Sequence, residues 1–292
     1  MIMIPSLGIF FAILAMVLWG LEELFLKESL ERLRSTTTYF INTVSGVLLQ
    51  TAVIFLFWGG GITLLAPNDF LLAVLSAGVA FLGFYLFYLA LERQKLSLIS
   101  SLDESWIIVT ILIAVFFFGE TLSPLHIFSI VIVLSGALLI SADISNLRNL
   151  SFISGSGYEF LSIILIGISI PLEKIVLDRI GEVNAIFYLS ALVIPFILIT
   201  KFLRGHTFVK APGKIFRIAV YSGFADGLAF LFYLLAIQSV AISIVSPIVA
   251  SSVVVSVILA RIYLKERTAS KEIFGACLIL AGVIILSILS PT

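Results

Sequence analysis

Stretches of about twenty residues with few charges recur ten times along the chain. They lie at about 7–26, 38–58, 70–91, 97–118, 124–142, 156–176, 184–203, 214–237, 240–260 and 271–289. A bilayer core about 30 Å thick is crossed by one helix of roughly 20 apolar residues. Of 292 residues, 61% are hydrophobic and 12% charged. That is too little polar surface to cover a water-soluble fold of this size, whereas lipid lets apolar side chains face outward. A β-barrel is excluded, because its strands alternate apolar and polar residues. Here Ile107 to Phe118 and Cys277 to Leu289 are near-continuous apolar runs. The expected fold is all-α, a polytopic membrane protein of ten transmembrane helices.

The separators are short and carry helix breakers and charge, as in Gly59-Gly60-Gly61, Ala66-Pro67-Asn68-Asp69 and Ala211-Pro212-Gly213. Neighbouring helices therefore form antiparallel hairpins. Met1 to Ser6 carries no positive charge ahead of the first apolar run, so that run reads as an uncleaved helix. The formal net charge is zero, which gives no basis for a nucleic-acid partner. Cys277 stands alone, and His126 and His206 have no cysteine nearby to complete a zinc set, so no metal or other cofactor is expected.

The two halves of the chain match at an offset of 146 residues. Phe84, Leu89, Ala90, Ser97, Ser100 and Ser105 fall on Phe230, Leu235, Ala236, Ser243, Ser246 and Ser251. Glu120, Ile127, Phe128, Leu134, Gly136 and Ser141 fall on Glu266, Ile273, Phe274, Leu280, Gly282 and Ser287. A unit of five helices is odd, so the second copy enters the membrane from the opposite face. Residues 1–142 and 156–292 are then two inverted five-helix repeats joined by a connection at 143–155, an architecture on which many secondary transporters alternate between two access states.

The stretch Phe81 to Glu92, the hairpin Phe118-Gly119-Glu120-Thr121-Leu122-Ser123 with Leu134-Ser135-Gly136 after it, and the second-copy Leu264-Lys265-Glu266-Arg267 and Leu280-Ala281-Gly282-Val283 resemble EamA-domain proteins of the drug/metabolite transporter superfamily. Trp19-Gly20 resembles the Trp-Gly of that family's first helix. The resemblance spans nearly the whole chain. It implies ten helices around a central cavity lined mainly by helices 1, 3, 4, 6, 8 and 9, and it implies no particular solute.

Lys and Arg divide unevenly between the two faces. Connections 1–2, 3–4, 5–6, 7–8 and 9–10 with their helix ends hold fifteen, and the even connections hold two, Lys174 and Arg179. The positive-inside rule places the odd connections in the cytoplasm and both termini outside. The family resemblance implies the opposite orientation.

Ionisable side chains at membrane depth are costly and need a reason. Glu22 and Glu23 lie in helix 1, Asp103 and Glu104 in helix 4, Glu173 in helix 6 and Asp226 in helix 8. Helices 1 and 4 place their acidic pairs in the same half of the membrane. An offset of 151 aligns Glu22 with Glu173, as pseudosymmetric gate elements. Glu23 and Lys174 also stand four residues before Lys27 and Asp178 and can pair with them locally. Trp19, Tyr85, Tyr88, Trp106 and Tyr233 are candidate aromatic contacts for a solute, and Ser100, Ser246 and Pro247 add polar or kinked backbone sites.

With embedded charge almost all acidic, the sequence points to a carrier in the cell membrane for a small cationic, zwitterionic or amphipathic organic solute. Its partners are that solute and membrane lipid. A cavity carboxylate could also carry protons. No HExxH, no GxSxG and no nucleophile–base pair suggests enzyme chemistry. A lipid-directed membrane enzyme and a passive channel are the alternatives.

Overall fold

The computed structural model describes residues 5–30, 32–93, 105–141, 156–203, 208–209, 211–259, 262–263 and 270–289. Eleven helices are found among them: α1 (Pro5–Leu30), α2 (Ser35–Trp58), α3 (Pro67–Arg93), α4 (Trp106–Phe118), α5 (Pro124–Ser141), α6 (Ser156–Ala191), α7 (Val193–Leu203), α8 (Gly213–Ser239), α9 (Ile242–Ala250), α10 (Ser252–Leu259) and α11 (Ser270–Leu289).

Local sequence fixes many of the ends. Proline opens α1, α3 and α5, where its missing N–H has no helical partner to lose. Gly59 and Gly119 close α2 and α4 at φ 66° and 67°, with their N–H groups on the carbonyls of Ile54 and Ala114. Only glycine takes that conformation without strain.

Among the described residues, five segments are long and apolar enough to cross a membrane, one of them the 47-residue stretch Gly157–Leu203. That stretch holds two crossings. Gly181 interrupts α6 at φ 76° and ψ 166°. Ser162 Oγ donates to the Gly83 carbonyl at 2.8 Å, and Phe196 stacks on Phe81 with centroids 5.6 Å apart. Residues 162 and 196 thus flank one level of α3, and the chain reverses between them. The other shorter apolar helices are α4, α5, the α9–α10 pair broken at Ser251, and α11. Together these give the ten crossings expected from the sequence.

The repeat is visible in the packing. α1 lies on α8, α3 on α6, and α5 on α11. A Cβ on Gly136 would meet the Gly275 carbonyl and Ile279, and a Cβ on Gly282 would meet the Ser129 carbonyl and Val133. Each of these contacts maps onto its counterpart at the offset of 146. The small residues 129, 136, 275 and 282 serve close helix approach, as small residues do in membranes.

Helix 1 is a correction. Gly20 packs on Ser252 and Val255, and Gly167 packs on Trp106 and Val109. The Ser256 hydroxyl reaches the Gly20 carbonyl at 3.2 Å, and the Thr110 hydroxyl reaches the Gly167 carbonyl at 3.1 Å. Gly20 therefore corresponds to Gly167, an offset of 147. Glu22 aligns with Ser169, and the pairing of Glu22 with Glu173 fails by four residues. A slip of four is one helical turn and leaves the apolar face unchanged, so hydrophobic pattern alone does not detect it.

Large apolar side chains cover the outside, among them Phe10, Leu48, Phe116, Phe117, Phe128 and Phe160. Such a surface would aggregate in water and is what an acyl-chain environment requires.

Candidate functional site

The bundle holds a partly open cavity of about 150 Å³ between α1, α2, α3, α6, α7 and α8. α1 contributes Trp19, Glu22 and Leu26, and α2 contributes Tyr39, Thr43 and Gln50. Ala77, Ala80, Phe84 and Tyr88 come from α3. Glu173, Leu189 and Ser190 come from α6, and Asp226 and Phe230 from α8. Three carboxylates face this space, and none of its described lining residues is Lys or Arg.

Each carboxylate has a distinct setting. Glu22, only 7% exposed, accepts from Asn42 Nδ2 at 3.2 Å and from Ser222 Oγ at 3.1 Å. The second N–H of Asn42 goes to Ser222 Oγ at 3.0 Å, which closes a triangle joining α1, α2 and α8. Asp226 lies one turn after Ser222 on α8 and accepts from Trp19 Nε1 at 3.0 Å. Glu22 and Asp226 thus sit side by side at the α1–α8 contact. Glu173, 4% exposed, enters from α6 on the other side.

The triangle depends on how closely α2 and α8 cross. A Cβ on Gly223 would stand 2.2 Å from the Asn42 carbonyl oxygen, and one on Gly227 would stand 2.7 Å from Gly46 Cα. Next to that crossing, Gln50 Nε2 donates to the Gly227 carbonyl at 2.8 Å, while its Oε1 is buried without a partner.

Of the residues singled out from the sequence, Trp19, Glu22, Glu173 and Asp226 are brought together here. Glu23 faces α10 instead, 2.5 Å from Ser256 Oγ. Tyr85 is buried against Phe81, with ring centroids 5.5 Å apart. Trp106 is buried where α4 meets α6. Tyr233 braces the Trp19 ring from behind at 5.6 Å. Ser246 and Pro247 are buried in α9, which contributes nothing to the described lining. Ser100, Asp103 and Glu104 lie outside the described residues. Lys174 pairs with Asp178 as its spacing suggested. Described residues of α2 and of the 184–203 crossing also line the cavity; the described residues of helices 4 and 9 do not, and 97–104 of helix 4 lie outside the described residues.

Asn42, Gln50, Tyr39, Thr43 and Ser222 were missed. The signal for the first two was present: a side-chain amide in a lipid-spanning helix requires a polar partner. Glu120, in the connection between α4 and α5, accepts from the Ile242 and Ser243 N–H groups at 3.0 Å each and from Ser243 Oγ at 2.5 Å. It caps α9 from the other repeat.

Ten crossings in two inverted repeats around a carboxylate-lined cavity define a multi-pass membrane protein of transporter architecture. The profile of the EamA-like transporter family matches residues 6–142 and 153–288, and the chain belongs to that family. It is accordingly a transporter of the drug/metabolite type and an integral membrane protein. A crystal structure described only as that of a protein superposes with TM-score 0.83 over 98% of this chain and 99% of that one, at 15% identity, and is similar in fold. No curated protein matches the chain.

Proposed function

We propose that the protein is a secondary carrier in the cell membrane that moves a small cationic, zwitterionic or amphipathic organic solute by alternating access, with protons as the coupling ion. What supports this reading is a partly open cavity within the bundle bearing Glu22, Glu173 and Asp226, with no basic side chain among its described lining residues. Anionic solutes are disfavoured there, because a buried charge without a counter-charge is costly. Trp19, Tyr39, Tyr88 and Phe230 offer ring faces to a cation or an apolar body. Inverted repeats supply the two states between which such a site is exposed. Asp103 and Glu104 belong to the same proposal from the sequence alone.

The test is solute flux into proteoliposomes with and without an imposed pH gradient. A carrier saturates and shows counter-flow. Glu22→Gln keeps the Oε1 acceptor that Asn42 and Ser222 use, so the variant should fold and transport with its pH dependence abolished. Non-saturating flux without counter-flow would favour a channel and overturn the carrier. Unchanged pH-dependent transport in both Glu22→Gln and Asp226→Asn would remove the proton role.

A further inference from the structure

Charge around the cavity is unbalanced. The donors nearest the carboxylates are committed: Trp19 Nε1 to Asp226, both N–H groups of Asn42 to Glu22 and Ser222, and Gln50 Nε2 to the Gly227 carbonyl. The wall also carries the hydroxyls of Tyr39, Thr43, Tyr88 and Ser190, and its charge is all acidic, from Glu22, Glu173 and Asp226. Gln50 is 2% exposed, lines the cavity and has an Oε1 without a partner. Native interiors rarely leave such an acceptor unpaired, and this one stands beside the cavity without surface open to it, so an N–H donor in the ligand reaches it when the Gln50 side chain turns.

The acidic groups form two poles. Glu22 and Asp226 stand together at the α1–α8 contact, whereas Glu173 comes from α6. By the repeat symmetry Ser169 is the counterpart of Glu22, and Glu173 lies one turn beyond it, roughly 6 Å further toward the opposite face. The poles are therefore offset along the membrane normal, with Tyr39 and Tyr88 also in the wall.

Resting on the carrier reading, we propose that the site takes a short linear diamine: two ammonium groups on an apolar chain, one held by Glu22 and Asp226 and the other by Glu173, with Gln50 Oε1 accepting an N–H once its side chain turns. A monoamine leaves one pole unmet, and an amino acid brings a carboxylate for which the described lining has no cation. The volume agrees, since a cavity of about 150 Å³ admits a molecule of about six non-hydrogen atoms. A four-carbon diamine has that many.

The test uses the purified full chain in proteoliposomes with radiolabelled 1,4-diaminobutane, competed by unlabelled 1,4-diaminobutane, 1-butylamine and 4-aminobutanoate. The expected result is saturable, counter-flowing diamine uptake, with the unlabelled diamine competing at least about tenfold better than the monoamine, as one additional charged contact would give. Glu173→Gln should bring diamine and monoamine to within about threefold of each other. Equal competition by both amines in the wild type, which needs no variant to fold, overturns the diamine assignment. Counter-flow of a monoamine or amino acid without counter-flow of the diamine also overturns it and leaves the carrier intact. Absence of counter-flow for every solute in a broad metabolite panel overturns the carrier reading itself.

Discussion

Replacing Gly223 with alanine tests the α2–α8 crossing on which the Glu22 setting depends. The new methyl carbon would stand 2.2 Å from the Asn42 carbonyl oxygen and 2.7 Å from Ser45 Oγ. The serine can rotate away, but the carbonyl is backbone, and the helices must part by about 1 Å to reach ordinary contact. Overpacking of this kind costs about 1–3 kcal/mol. The same movement stretches the 3.2 Å and 3.0 Å bonds of the Asn42 amide beyond hydrogen-bond range. Side-chain hydrogen bonds in membranes average about 0.6 kcal/mol and reach about 1.7. The sum is about 2–4 kcal/mol, or a fall in Tm of roughly 5–15 °C in detergent at the scaling found for large domains. Gly213→Ala is the control, because a Cβ there meets nothing within 4 Å, and alanine is the better helix former. A Gly223→Ala protein melting within about 2 °C of the wild type would refute the crossing geometry.

Glu120→Ala should lower stability by about 1–3 kcal/mol, read as Tm, because it strips the first turn of α9 of its cap. The Arg179–Asp69 pair, 2.8 Å long and partly exposed, should yield less than about 1 kcal/mol in a double-mutant cycle. The distribution of Lys and Arg predicts that a reporter active only in the cytoplasm is silent when fused after Thr292, and activity there would invert the orientation.

Spanning runs and repeat were legible in the sequence because each rests on properties read one residue at a time: length, hydropathy and the spacing of Glu120 with Glu266 or Gly136 with Gly282. The cavity was legible only in part. Glu22 and Asp226 announce themselves as charges in lipid, but their partners are more than two hundred residues apart in the case of Trp19 and Asp226. No local rule connects them. Glu23 and Glu22 are adjacent and indistinguishable by composition, yet one faces Ser256 and the other Asn42, and that difference is a rotation about the α1 axis. Tyr85 and Tyr88 are one turn apart on α3. The former packs on Phe81, while the latter reaches the cavity.

The Gly136 and Gly282 contacts have a mechanical consequence. Each glycine presses on the backbone of the opposite repeat, so the two helices cannot draw closer there and have little apolar side chain to fill a gap if they separate. Rocking of one half against the other should therefore leave this point nearly stationary while both mouths change width. Spin labels placed near it would report one distance in every state, and labels at the rims would report two.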